Sequence, residues 1–265
     1  MEIALDLARS LLAQPTAPFH EDAVRSEIFQ LLAQCPHVMV TQDDFGNVIA
    51  HYQCGPARPQ FALSAHMDHP GFVGNEFLGS VPETYRQRNP PVRDFGAFSM
   101  WDLPPFELRD DRLYSRACDD LIGCAAIVAV FHELERSSAE ASVYGLFTRA
   151  EEVGFVGALK LAQSGILPRD VVIISLETSS EKAPGCGMGD GVIVRVGDRS
   201  SIFAPDVTAM LIELAKSGEI PVQRCLMDRG TCAAAPSASR WGITTIVAPI
   251  CKLNPSSSAS RISTR

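Results

Sequence analysis

At four points of this 265-residue chain, acidic residues or a histidine directly follow a short apolar run or open a helical pattern. His66-Met67-Asp68 follows residues 61–65, Glu151-Glu152 follows 142–150, Glu177 follows 171–176, and Asp119-Asp120 opens the pattern that starts near Leu121. One imidazole and several carboxylates form a hard, oxygen-rich donor set that suits divalent zinc, manganese or cobalt. In an open parallel sheet, ligands bind outside the carboxyl ends of the strands, which is where such residues would gather. Each group has an ordinary reading by itself. Asp119-Asp120 and Glu151-Glu152 suit helix N-termini, Glu177 suits a loop, and a single histidine after a strand is more often structural than a ligand. Jointly they require four coincidences on one rim of one sheet. Adjacent carboxylates also repel, which is tolerated where a metal offsets the charge. Two neighbours on one turn cannot both point at one ion, so one of Glu151 and Glu152 is left for proton transfer.

Taken with their neighbours, these residues carry a resemblance. His66-Met67-Asp68, Ala117-Cys118-Asp119-Asp120-Leu121-Ile122-Gly123-Cys124, Glu151-Glu152-Val153-Gly154-Phe155-Val156-Gly157-Ala158 and Arg229-Gly230-Thr231 resemble the successive motifs of the glutamyl and tetrahedral aminopeptidases. These are co-catalytic zinc peptidases related to dipeptidases and glutamate-releasing carboxypeptidases, and the resemblance runs from about residue 4 to 250. It implies a three-layer zinc-peptidase-like sandwich holding two divalent metals, zinc with manganese or cobalt as substitutes. Asp119 would bridge them, across an Asp119-Asp120 peptide in the cis form. His66 and Glu177 would complete one metal, with Asp68 orienting His66, and Glu152 would bind the other. Glu151 would be the general base of an exopeptidase that releases N-terminal residues with a metal-activated water. A deacylase or carboxypeptidase acting on small amides, and an inactive relative serving as a binding or assembly subunit, are the alternatives. The partners implied are a peptide or small amide and further copies of the chain.

The elements that position these residues are legible in outline. Helical patterns cover residues 3–13 and 21–34, broken by prolines 15 and 18, and a hairpin covers 38–41 and 48–52 across Asp43-Asp44-Phe45-Gly46-Asn47. Apolar runs at 61–64, 142–148, 171–176, 222–226 and 244–248 alternate with helical patterns at 121–135, 155–163 and 205–216. That alternation predicts an α/β fold, a mostly parallel mixed sheet with helices on both faces. Residues 1–70 and 117–254 form the expected catalytic domain. Residues 71–116, with five prolines and Tyr85, Phe95, Phe98, Trp101 and Phe106, read as an inserted lid or reduced dimerisation subdomain. Residues 255–265, small and polar, read as a disordered tail.

Composition narrows the classes further. A net charge of −8 with no basic patch argues against nucleic acid. No apolar run approaches the ~20 residues that span a bilayer, and Glu2 and Asp6 stand where a secretory leader carries basic residues, so the expected location is the cytoplasm, away from any membrane. Eight scattered cysteines without a Cys-x-x-Cys pair read as reduced thiols. The glycines of 185–191 lead into a strand pattern and lack the context of a phosphate loop.

Three features depart from the family pattern. Its last ligand is a histidine near the C-terminus, whereas the final histidine here is His132, and Lys252-Leu253-Asn254 stands in the ligand segment. The expectation is an atypical or truncated C-terminus and an incomplete second metal position. Glu177 replaces the aspartate of many aminopeptidases. The 53 positions from His66 to Asp119 are fewer than the dimerisation domain of tetrahedral enzymes needs, so large cages are not expected.

Overall fold

The apolar spacing of the N-terminus folds as two helices, α1 (Glu2–Ala13) and α2 (Asp22–Leu32), which bury Leu7, Leu11 and Leu12 from the first and Val24, Ile28 and Leu32 from the second. The computed structural model describes residues 2–56, 61–81, 86–88, 90–110, 112–180, 186–227, 245–247, 251–253 and 260–263. After α2 comes an antiparallel hairpin, β1 (Val38–Gln42) with β2 (Val48–Cys54), in which Val38 faces Tyr52. Its turn is tied by Asp43 Oδ1, which accepts the N–H groups of Phe45 at 3.0 Å and Asn47 at 2.8 Å, and Gly46 supplies the φ of 95°.

The chain continues through β3 (Phe61–His66), β4 (Gly71–Val73), β5 (Glu76–Leu78), β6 (Val92–Asp94), β7 (Ser99–Trp101), β8 (Glu107–Arg109), β9 (Arg112–Ser115) and α3 (Cys118–Ser137). Then follow β10 (Ala141–Thr148), α4 (Val156–Ser164), β11 (Val172–Ser175), β12 (Thr178–Ser180), β13 (Val192–Gly197), α5 (Pro205–Ser217), β14 (Val222–Leu226), β15 (Thr245–Val247), β16 (Cys251–Leu253) and β17 (Ser260–Ser263).

The central sheet has six strands in the order β1-β2-β10-β3-β11-β15. Strands β10, β3, β11 and β15 run parallel, and β2 and β1 add antiparallel at one edge. Because neighbouring residues on a strand face opposite ways, the sheet sorts its side chains onto two cores. Val48, Ala50, Phe147 and Ile174 pack with α1, α2 and α3, whereas Ile49, Leu146 and Ile173 pack with Leu161 of α4. The result is the expected mixed, mostly parallel sheet with helices on both faces.

Gly145 marks the tightest approach of β10 to α3. A Cβ there would lie 2.5 Å from Phe131 Cε2 and 2.7 Å from Ile127 Cγ2, both fully buried, so neither can swing clear. Gly145→Ala is expected to destabilise the protein by about 1–3 kcal/mol through overpacking, measured as a lower midpoint in denaturant.

Two expectations change. Residues 222–226 do not enter the main sheet: β14 pairs in parallel with β13 as a separate two-stranded ribbon. Only Cys225 of β14 is buried, because Gln223 and Arg224 interrupt the apolar run and Leu226 is 57% exposed, so the strand lacks the two apolar faces that a central position demands. Of residues 255–265, Ser260–Ser263 are described, and they form a strand antiparallel to β9, not a disordered tail. Residues 71–115 divide between a four-stranded sheet, β5-β4-β7-β6, and the β9 and β8 edge of a five-stranded one. The first is knit by the rings of Phe72, Phe77 and Trp101, with centroids 5.1–6.0 Å apart. Among the described residues, no helix is long and apolar enough to cross a membrane, and Cys35, Cys54, Cys118, Cys124, Cys186 and Cys225 form no disulfide.

Candidate metal centre

The carboxyl ends of β3, β10 and β11 deliver His66, Glu151-Glu152 and Glu177 to one rim, and the start of α3 brings Asp119-Asp120 against them. Asp119 and Asp120 keep non-helical backbone angles, and the peptide between them is cis, as the resemblance implies. His66 is 3% exposed. Its Nε2 lies 3.3 Å from Asp119 Oδ1 and 3.9 Å from Glu151 Oε2. Its backbone N–H donates to Asp120 Oδ2 at 3.2 Å, and the Cys124 thiol donates to its carbonyl at 3.3 Å.

Two overlapping groups of potential ligand atoms result. Those of His66, Glu151 and Glu177 all lie within 4.8 Å of one another, and so do those of Asp119, Asp120 and Glu177. Of the four ligands expected from the sequence, Glu177 belongs to both groups, His66 to the first and Asp119 to the second, with His66 Nε2 3.3 Å from Asp119 Oδ1. Glu152 lines the same cavity, with Oε2 accepting the Ser80 N–H at 3.2 Å from the end of the 71–80 excursion. Glu151, not Glu152, belongs to the group that contains His66.

Asp68 meets both His66 and the backbone of residues 151 and 152. His66 Nδ1 is paired with the Asp68 carbonyl oxygen at 3.0 Å, while the Asp68 carboxylate, 3.4 Å from the same nitrogen, accepts the N–H groups of Glu151 at 2.9 Å and Glu152 at 3.1 Å. The described residues leave out Arg229-Gly230-Thr231 and Asn254, so those motif positions lie outside the structure. His132 Nε2 pairs with the Leu31 carbonyl at 3.2 Å, in keeping with a structural role. Sequence reasoning passed over Asp120 as a donor and His69, whose Nδ1 is 2.7 Å from the Asp119 carbonyl. The spacing His66-x-x-His69 was the only local signal for the latter.

The electrostatics describe a site overloaded with negative charge. Burial raises Glu151, Asp68 and Asp119 reinforce it, and the group reaches about 7 despite the opposing pull of His66 and Arg195. Burial and the neighbouring carboxylates likewise push Glu152, Glu177 and Asp120 well above the usual range. Burial acts to lower His66, yet Glu151, Asp119 and Asp68 outweigh it and hold the imidazole well above its ordinary value. Among these carboxylates Asp119 goes down: burial acts to raise it, and its interactions with His66 and Glu177 prevail.

The donor chemistry fits divalent cations, and an independent observation agrees. Asp120 Oδ1 is shut off from solvent and makes no hydrogen bond, and Asp119 Oδ1, equally shut off, has only the 3.3 Å ion-pair contact with His66 Nε2, although buried carboxylate oxygens are ordinarily satisfied. Gly123 makes room for this arrangement, since a Cβ there would come within 2.4 Å of Asp120 Oδ1. Asp119, Glu151, Glu152 and Glu177 line a cavity of about 620 Å³ together with Arg195 and Arg199. Arg195 is held by the Thr178 carbonyl and the Ser179 hydroxyl.

Known proteins resemble this chain at several levels. A curated protein of Acetivibrio thermocellus named "Putative aminopeptidase" is 34% identical over 127 residues, 46% of this chain and 38% of that relative. The chain thus matches well under half the length of that relative. Among solved structures, a TET aminopeptidase from a marine-sediment Thaumarchaeota archaeon superposes with a TM-score of 0.80 at 19% identity, covering 99% of this chain and 92% of its own. An aminopeptidase from Desulfurococcus kamchatkensis gives 0.80 at 20% identity over 98% and 90% of the two chains. The TET1 peptidase of Pyrococcus horikoshii, which can assemble into a tetrahedron or a large octahedral shell, gives 0.79 at 19% over 98% and 94%. These likenesses establish the fold, and over residues 92–264, more than half of its length, the chain matches the family model of the M42 glutamyl aminopeptidases and belongs to that family.

Proposed function

We propose that the protein is a metal-dependent aminopeptidase that hydrolyses the N-terminal bond of peptides. The observation that carries this reading is the convergence of Asp119, Glu151, Glu152 and Glu177 on one cavity, with His66 Nε2 3.3 Å from Asp119 Oδ1 behind it. His66, Asp119 and Glu177 would hold one divalent cation, and Asp119 with Glu152 a second. When bound, zinc, manganese or cobalt would supply Lewis-acid polarisation of the scissile carbonyl and activation of water. Glu151 takes the proton of the attacking water on a carboxylate oxygen and passes it to the leaving amine, a task for which a value near neutrality is suited. Asp68 keeps Glu151 and Glu152 in place by binding their backbone N–H groups.

The acidic lining of the cavity complements the ammonium of a peptide N-terminus. Arg199, exposed at the wall of the cavity, complements an acidic side chain on the residue to be released. The assembly of TET1 supports self-association of this chain as well. A panel of aminoacyl-anilides and N-acyl amino acids, assayed with each metal, tests the reading. Glutamyl and aspartyl anilides are expected to turn over fastest, and Arg199→Ala to abolish that preference while leaving leucyl turnover in place. Turnover confined to N-acyl substrates would reassign the protein as a deacylase, and no turnover with any metal would sink both.

A further inference from the structure

Strand β10 ends at Thr148, and the next four backbone N–H groups leave the sheet ladder. All four end on side-chain oxygens from elsewhere in the chain. Arg149 N donates to Asn47 Oδ1 at 3.0 Å, Ala150 N to Glu21 Oε1 at 3.0 Å, Glu151 N to Asp68 Oδ1 at 2.9 Å and Glu152 N to Asp68 Oδ2 at 3.1 Å.

Glu21 and Asn47 are themselves fixed and fully buried. Glu21 accepts the Phe19 N–H at 2.9 Å and Arg149 Nε at 2.7 Å, and that guanidinium donates onward to the Phe45 carbonyl at 2.7 Å and the Phe19 carbonyl at 2.8 Å. Asn47 Nδ2 donates to Asp43 Oδ2 at 2.6 Å and the Gly157 carbonyl at 3.0 Å. Gly157 leaves the space that Asn47 occupies: a Cβ there would lie 2.4 Å from Asn47 Oδ1. The loop would not hold this shape unaided, since Ala150 sits at φ 51°, a left-handed conformation that costs a residue with a Cβ free energy.

A tie that only closed the loop would need one anchor. Here three segments converge on four successive residues, and the last two carry the side chains assigned to proton transfer and cation binding. We propose that Glu21 and Asn47 are positioning residues for Glu151 and Glu152, acting through the backbone from which those carboxylates hang. The inference rests on the function proposed above.

Its test uses the full chain with two variants, Glu21→Gln and Asn47→Asp, beside Gly145→Ala as a purely structural control. Residues that orient a metal ligand typically alter affinity or activity by about 10–100-fold, so each variant is expected to bind zinc about 10-fold or more weakly by calorimetry. Each should also lose kcat by a similar factor with KM changed less than about twofold. Gly145→Ala should bind zinc and turn over as the parent does. Variants that match the parent, or lose no more than Gly145→Ala, overturn the proposal. If one variant does not fold, the other decides. If neither folds, the network serves the fold and the proposal is wrong. A parent that neither binds zinc nor turns over substrate defeats the proposed function. Amide hydrogen exchange at residues 149–152 then remains as the readout: faster exchange in Glu21→Gln upholds the tie, and unchanged exchange overturns it.

Discussion

Glu151→Gln is expected to lower kcat by about 10²–10⁴-fold, the usual contribution of a general base, while zinc affinity stays close to that of the parent. The amide keeps the volume and shape of the carboxylate, and the Glu151 backbone N–H retains its bond to Asp68, so the cavity is not rebuilt. What disappears is a carboxylate raised to about 7, able to accept a proton near neutrality. The pH profile provides a second reading of the same event. A base works deprotonated, so parental kcat/KM should fall as the pH drops through the value of Glu151, about 7 before any cation lowers it. The variant should lack that limb. Glu151→Gln also removes a negative charge from a crowded site, so the metal-free variant should melt no lower than the metal-free parent. Full activity in Glu151→Gln would transfer the role of base to another residue, with Glu152 the nearest candidate.

How much of this was legible in sequence follows from the range of each signal. The hairpin was readable to within two residues because Asp43, Gly46 and the alternation of 48–52 act locally. Helix α3 was readable beyond its first turn, where the cis peptide and the non-helical angles of Asp119 and Asp120 break the pattern. His66, Glu151, Glu152 and Glu177 were visible as polar residues ending apolar runs, and Asp119 as the opening of a helical pattern. The partners of the loop they belong to were not. Glu21 reaches Ala150 across 129 positions and Asn47 reaches Arg149 across 102, and no periodicity encodes a contact at that range. Asp68 shows the same limit at short range. Its neighbour His66 was evident, but the choice of its carboxylate between that ring and the backbone of Glu151 and Glu152 is decided by tertiary packing. The side strand β14 was misplaced because Gln223 and Arg224 in the middle of residues 222–226 were given too little weight against Val222, Cys225 and Leu226, and a strand so interrupted suits a half-exposed ribbon better than a central position.

Removing metal is expected to abolish turnover and to invert the dependence of stability on pH. In the unfolded chain, glutamates carry their ordinary value of about 4.3. In the metal-free fold, Glu151 sits at about 7, and Glu152 and Glu177 are also raised, so between roughly pH 4.5 and 7 the folded state binds more protons than the unfolded one. Stability then falls as pH rises through that window, and the raised His66 acts in the same direction, because its protonated form is favoured in the fold and is lost on going upward. Asp119, held low, acts oppositely but only below that window, where it titrates in the unfolded chain. Bound cations reverse the sign by favouring the ionised carboxylates and a neutral His66, so affinity and stability both rise with pH. At free zinc roughly 1,000 times its dissociation constant, binding adds about 4 kcal/mol, or roughly 8–16 °C of melting temperature for a domain of this size. Melting curves at pH 5.5 and 8, with zinc and with chelator, check this directly: the chelated protein should melt higher at pH 5.5 and the zinc-loaded protein higher at pH 8. Equal slopes in the two states would mean that cations do not occupy the carboxylates around Asp119. The buried, unpaired oxygen of Asp120 would then need another partner.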